Sequence, residues 1–392
     1  MNLSGLTPPS LIRINPPGLV IGHRPYMLDR QNEPLSPDAE KDGAIALARK
    51  VSFLSRPASY FPKPQTVVAR ETHMSWVFMA GDRVYKLKKP VRFSYLDFST
   101  LERRAAACRA EVLLNRRLAP DVYLGVAPLS ATSTGYQIAS KGPVIDWLVV
   151  MRRLDESQTL EAAVRNQAVS PVQVHRLADI LGRFYSHASR VLIAPKNYAL
   201  SLQKAALADR RVLLKPAFDL PQGTIERIAN VQQRFLRQRV EVLTERVHRR
   251  LVLDGHGDLR PEHIWLTAPF PIIDCLEFDA RLRASDALDE LAFLHLECER
   301  LGARWVGETL RDRLSILLDD NPATGLFFFY RIGRAMLRAR LSIAHLADPH
   351  PRTPEKWPRL ARTYLALASK DAARLERLLE GGPDQRIITP GG

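Results

Sequence analysis

Cysteine is scarce in this sequence: there are three in 392 residues, at positions 108, 275 and 298. An odd number at wide spacing excludes a disulfide framework and a CxxC metal pair, and it points to a reducing cytoplasm. Long apolar runs are also missing. None approaches the length that spans a bilayer, so no membrane association is expected. The first seventeen residues are broken by prolines and lack the basic-then-apolar order of a secretory signal. Neither G-x-G-x-x-G nor G-x-x-x-x-G-K-[ST] occurs, which removes the two glycine-rich phosphate cradles. The formal charge of +15 invites a nucleic-acid reading. No aromatic RNA-binding pattern or helix-turn-helix signal accompanies it, so nucleic acid is not the expected partner. Excess positive charge equally suits a phosphorylated or otherwise anionic small molecule.

What is present is globular in character. The chain is 46% hydrophobic and 25% charged, and it exceeds the length of one ordinary domain, so two lobes are expected. Residues 1–42 are proline-rich without periodicity and read as a disordered tail, and residues 381–392 read the same way. Residues 66–90 are rich in β-branched and aromatic side chains around a Gly81-Asp82 turn. Ser99-Thr100-Leu101-Glu102 forms a capping box for a helix running to Leu118. Strands return near 123–126, 136–139 and 147–151. Helical spacing then dominates, at 174–187, 224–250 and 327–346, with one hairpin between 251 and 278. The expectation is an α+β, bilobal fold. A small antiparallel sheet with one helix fills 43–152, and a larger helical lobe carrying the hairpin fills 153–380.

The hairpin carries the chemistry. It reads His256-Gly257-Asp258-Leu259-Arg260-Pro261-Glu262-His263, then Ile273-Asp274-Cys275-Leu276-Glu277-Phe278. Phosphoryl transfer from ATP needs a carboxylate to orient and deprotonate the acceptor hydroxyl, and oxygen ligands to hold Mg²⁺ against the phosphates. A loop aspartate and a post-strand aspartate, joined by a hairpin, bring two carboxylates to one rim of a cleft. In the small lobe, Lys86 and Lys88 share one strand face, because strands alternate with period two. Either is a candidate for the phosphate contact. Glu111, in the middle of the following helix, is the candidate to hold that lysine. Thr72 and Ser75, in the first strand turn, are candidates to cap a phosphate.

These stretches resemble the protein-kinase catalytic loop and metal-binding aspartate. His-Gly-Asp in place of His-Arg-Asp is similar to the aminoglycoside phosphotransferase-like family of small-molecule kinases. Glu-Thr-His-Met-Ser-Trp-Val-Phe from residue 71, Tyr-Lys-Leu-Lys-Lys-Pro from 85, Leu-Asp-Phe-Ser-Thr-Leu from 96 and Leu-Asn-Arg-Arg-Leu-Ala-Pro from 114 resemble one bacterial branch of it. Some members of that branch carry an additional P-loop domain, for which this sequence shows no motif.

The resemblance implies a protein-kinase-like fold and transfer of the ATP γ-phosphate to a hydroxyl of a small molecule. Asp258 would be the base, with His256 and Arg260 beside it, Arg260 at the position that contacts the transferred phosphate. Asp274 would be the main Mg²⁺ ligand, and Met151 would lead into the adenine hinge. Asp289 would be the buried carboxylate that braces the catalytic loop. At the family's second metal-ligand position an asparagine is replaced by His263. Imidazole is a poor Mg²⁺ ligand. That leaves a one-metal mechanism, a preference for Mn²⁺, or nucleotide binding without catalysis, which would make the chain a regulatory pseudokinase. Protein phosphorylation is disfavoured, because no A-P-E segment follows Asp274. The arginines at 234, 237, 239, 246, 249 and 250 suit an anionic acceptor better than a cationic aminoglycoside.

Overall fold

A computed structural model describes residues 37–93, 96–347 and 353–381. The expected disorder of residues 1–36 and 382–392 lies outside the described residues. Helix α1 (Pro37–Leu54) begins inside the segment expected to be a tail through residue 42.

The small lobe is built on strands β1 (Val67–Glu71), β2 (Ser75–Ala80) and β3 (Arg83–Lys88), with a short β4–β5 ribbon (Arg92–Phe93, Leu96–Asp97). Helix α2 (Leu101–Asn115) and strands β6 (Tyr123–Thr132), β7 (Gly135–Ile138) and β8 (Val144–Arg152) complete it. The main sheet is antiparallel in the order β1-β2-β3-β8-β6-β7.

Register decides what each face does. Val77, Lys86 and Val149 are cross-strand neighbours, as are Met79, Val84 and Met151. Cross-strand neighbours share a face, so Lys86 and Lys88 lie on the side covered by α2. The opposite face buries Phe78, Tyr85, Leu87 and Leu148 against Leu54 of α1. That packing leaves the lysine face free to meet the cleft. The helix start differs from expectation by one residue. Thr100, not Ser99, is the N-cap and accepts from the Arg103 amide, while the Ser99 hydroxyl donates to Asp97. The side chain that commits to the helix is the one whose backbone remains extended.

After β8 the chain crosses into the helical lobe: α3 (Leu160–Arg165), α4 (Pro171–His187), α5 (Pro195–Leu213), α6 (Gln222–Gln238) and α7 (Val240–His248). The hairpin region follows, flanked by the paired strands β9 (Val252–Asp254) and β10 (Ala284–Asp286). Then come α8 (Ala287–Arg300), α9 (Arg304–Leu317), α10 (Thr324–Ala344) and α11 (Lys356–Leu379). The helix expected over 224–250 is two helices that part at Arg239. The break turns Leu243 and Arg246 inward. Two apolar clusters fill this lobe, one around α6, α10 and α11 and one joining α4, α8 and α9 to the hairpin. Among the described residues no helix is long and apolar enough to cross a membrane. The architecture is α+β and bilobal, a small antiparallel-sheet lobe followed by a larger helical lobe that carries the hairpin.

Candidate active site

The site forms where α2, the sheet and the hairpin meet. Glu111, fully buried on α2, accepts from both lysines: Lys86 Nζ at 2.9 Å and Lys88 Nζ at 2.6 Å. The two lysines differ in depth. Lys86 keeps 17% of its side chain exposed and reaches Asp274 Oδ1 at 3.2 Å. Lys88 is 1% exposed and is also tied to Glu277. Burial opposes the charge on Lys86, but Asp274 and Glu111 outweigh it and hold the ammonium well above its ordinary range. Reciprocally, Lys86 holds the Asp274 carboxyl well below the usual carboxylate range, against desolvation. Asp274 sits at φ +64°, a left-handed conformation that aspartate tolerates better than most residues. Three partners support its backbone. Tyr123 OH accepts from the Asp274 amide at 3.3 Å, Asn115 Oδ1 from the Cys275 amide at 2.9 Å, and the His263 carbonyl from the Ile273 amide at 3.0 Å.

Opposite lies the His256–His263 loop. His256 is buried; its Nδ1 accepts from the Asp258 amide and its Nε2 donates to the Ile273 carbonyl at 2.9 Å. Burial is the largest influence on this imidazole and pulls it down to about 4, so it is neutral at ordinary pH. His256 therefore joins the two halves of the hairpin as a neutral ring, linking the Asp258 amide to the Ile273 carbonyl. Arg260 donates to Asp258 Oδ2 at 3.1 Å and pairs with Glu262 at 2.7 Å. His263 Nδ1 lies 2.9 Å from the Asp258 carbonyl, so that nitrogen carries the proton. Its Nε2 then presents a lone pair toward the Arg260 guanidinium at 3.2 Å and lies 3.6 Å from Asp274 Oδ2.

The structure thus brings Lys86, Glu111, Asp258, Arg260, His263 and Asp274 together, with Lys88 behind them. Val84, Met151, Leu154 and Ile273 pack in one apolar group below the sheet. Thr72 and Ser75 organise their hairpin: the Thr72 hydroxyl donates to the Ser75 carbonyl and accepts from its amide, and Ser75 is buried. The brace expected at Asp289 is made by its neighbour. Glu290 accepts from the Gly257 amide at 2.5 Å and from Tyr185 OH at 3.1 Å, whereas Asp289 forms a two-pronged pair with Arg334. A Cβ on Gly255 would sit 2.5 Å from Glu290 Oε1, so this approach requires glycine. Sequence reading also missed Arg117, which holds the Asp254 and Gly255 carbonyls at 2.8 and 2.7 Å and ties the end of α2 to the catalytic loop. Its place in Leu-Asn-Arg-Arg was visible, but its partner was not.

The basic stretch at 234–250 divides: Arg237 and Arg250 are exposed, while others are tied to carboxylates of the same lobe. Arg246 is buried between Asp286 and Asp320, Arg249 faces Asp320, and Arg234 faces Glu380. Among the described residues no three His, Cys, Asp or Glu side chains converge as a self-sufficient metal site. Asp274, with 46% of its side chain exposed, fits a cation that draws its other ligands from phosphate and water, and His263 Nε2 would join it only on leaving Arg260.

No protein-family model matches the chain. Uncharacterised proteins of Mycobacterium bovis and Mycobacterium tuberculosis are 32% identical over 287 residues, which is 72% of this chain and 56% of theirs. The chain spans about half the length of the curated relatives it matches. Among solved structures, a choline/ethanolamine kinase family protein from Mesorhizobium loti is similar with a TM-score of 0.49 at 14% identity. That match covers 85% of this chain and 98% of the other. The GDP complex of aminoglycoside 2'-phosphotransferase-IIIa is similar with a TM-score of 0.47 at 17% identity, over 83% of this chain and 99% of that one.

Proposed function

We propose that this protein is an ATP-dependent phosphotransferase that moves the γ-phosphate to a hydroxyl of a small molecule. One observation carries the reading: Lys86, Glu111, Asp258 and Asp274 come from separated segments, yet they meet in one site, Lys86 bridging Glu111 and Asp274 and the His263 ring lying between Asp258 and Asp274. The nucleotide base is assigned to the apolar side chains of Val84, Met151, Leu154 and Ile273. Lys86, oriented by Glu111, takes the α/β-phosphates. Asp274 and His263 Nε2 hold Mg²⁺ or Mn²⁺, which when bound neutralises phosphate charge. Asp258 orients the acceptor hydroxyl and receives its proton. Arg260, already beside Asp258, faces the phosphate in transit.

The test is metal-dependent loss of the ATP γ-phosphate in the presence of a pooled metabolite extract. Wild type is expected to turn over, and Asp258→Asn to lose about a hundredfold or more while still binding nucleotide. Equal turnover in both proteins would remove Asp258 from the reaction. An imidazole that exchanges Arg260 for the metal favours Mn²⁺ over Mg²⁺, so turnover is expected to be higher with Mn²⁺, and His263→Asn to shift the preference toward Mg²⁺. Nucleotide binding without turnover under either metal would instead support the pseudokinase reading.

A further inference from the structure

Asp258 and Asp274 stand on different arms of the hairpin, and the small lobe grips those arms unequally. The Asp274 arm is held repeatedly. Lys86 reaches Asp274 Oδ1 at 3.2 Å, Tyr123 OH accepts from the Asp274 amide, and Asn115 Oδ1 accepts from the Cys275 amide. Lys88 pairs with Glu277 further along the same arm. The Asp258 arm is held from the small lobe by a single side chain. Among the described residues, Arg117 is the one member of 43–152 whose hydrogen bonds reach 254–263.

The geometry of Arg117 suits that reach. It lies just beyond the last turn of α2, and its Nε donates back to the Leu114 carbonyl at 3.0 Å, which anchors the guanidinium to the helix end. Nη1 donates to the Asp254 carbonyl at 2.8 Å and Nη2 to the Gly255 carbonyl at 2.7 Å. The guanidinium packs over the Phe184 ring of α4, 5.1 Å from its centroid. Nη2 also meets Cys275 Sγ at 3.2 Å, but a thiol sulfur is a weak acceptor. Asp254 closes the unit. Its Oδ2 accepts from Arg117 Nη1 at 3.3 Å and its Oδ1 from Arg283 Nε at 2.7 Å. Arg283 in turn donates to the Leu276 carbonyl at 2.7 Å, and its own carbonyl accepts from the Gly255 amide at 2.9 Å. The peptide units on both sides of Gly255 are thus fixed a few residues before Asp258.

We infer that Arg117 is a positioning residue, which carries the placement of α2, and with it Lys86, to the loop that bears Asp258. The Asp274 arm does not depend on it, because Lys86, Asn115 and Tyr123 hold that arm separately. Losing Arg117 therefore lets Asp258 drift against a phosphate that is still held in place. The inference rests on the phosphotransferase reading for its effect on rate, but not for its effect on the loop.

The experiment compares wild type with Arg117→Gln and Arg117→Lys in two readouts on the full chain. The first is ATP turnover with the metabolite extract. Arg117→Gln is expected to lower kcat by about tenfold or more with the ATP KM unchanged, because a shift of about 1 Å is costly to the reacting groups. Arg117→Lys keeps the charge but cannot span two carbonyls, so its kcat should fall between the two. A merely structural ion pair would lower the melting temperature and leave kcat in the folded protein as it was. The second readout is hydrogen exchange with a non-hydrolysable ATP analogue and metal bound. In Arg117→Gln, exchange is expected to quicken across 254–263 and to keep its wild-type rate across 272–278 and the helical lobe. If Arg117→Gln fails to fold, Arg117→Lys decides both readouts. An unchanged kcat, an ATP KM that rises while kcat holds, or exchange that is unchanged or faster throughout the chain would overturn the proposal. A wild type that consumes no ATP counts against phosphotransfer alone, and the exchange readout then decides the role of Arg117. Turnover that Arg117→Gln leaves intact counts against this role alone.

Discussion

Lys86 and Lys88 show how far two residues of one type diverge on a single strand face. Alternation places both toward α2, and depth separates them. Lys86 is at the rim, shared between Glu111 and the partly exposed Asp274. Lys88 is enclosed between Glu111 and Glu277. Removing a rim charge costs binding, whereas removing a buried one leaves its partners desolvated and unpaired. Lys86→Met is therefore expected to raise the ATP KM by about tenfold or more with little change in the denaturation midpoint. Lys88→Met is expected to cost about 3 kcal/mol of stability. Urea titration alongside ATP kinetics checks both. The reverse pattern would exchange the roles of the two lysines.

At the scale of elements, the first turn of α8 sets the catalytic loop. Asp286 caps the helix by accepting from the Leu288 amide at 2.9 Å. From that start, successive residues point about 100° apart. Asp289 meets α10, and Glu290 meets Gly257 together with Tyr185 of α4. Glu290→Ala would leave a buried amide and a buried hydroxyl without an acceptor, at about 1–3 kcal/mol each. It is expected to lower kcat and stability together. Asp289→Asn should lower stability while kcat falls less, since Asp289 makes no contact with the loop. Stopped assays and thermal melts on the two variants separate these outcomes; a larger kcat loss for Asp289→Asn would restore it as the brace. Helix α2 is held along its length in the same way, with Glu111 on the lysines, Asn115 on Cys275 and Arg117 on the catalytic loop.

For the whole molecule, the hairpin connects the candidate site to stability through His256. Its folded-state value near 4 lies below the ordinary 6.5, chiefly through burial. The unfolded chain binds this proton first as pH falls. The contribution to stability is therefore complete above about 6.5 and drains away as pH falls toward 4. Asp209 acts in the opposite sense. Burial raises it to about 6, so it favours the fold when protonated and loses that contribution as pH rises from 3.8. Comparison with His256→Asn isolates the histidine. With EDTA present, the wild-type urea midpoint should fall more steeply than that of the variant between pH 6.5 and 4. Parallel curves would mean that His256 is solvated.

Much of this was legible in the amino-acid order, because local patterns encode local structure. Period-two alternation showed the strands of the small lobe and placed Lys86 and Lys88 together. Helical spacing put Glu111 mid-helix, facing inward, and the spacing of Asp258 and Asp274 showed a hairpin with two carboxylates. What tertiary structure decided were differences of one residue, one layer or one partner. The brace moved from Asp289 to Glu290, because a helix's rotation is fixed by what packs on it. Arg234, Arg246 and Arg249 proved to be paired, which the chain order hid because their partners at 380, 286 and 320 are remote in it. Sequence determines which groups are available and the local periodicity that aims them. Burial and partner count, which set the working charge and depth of each group, arise only when distant segments close on one another.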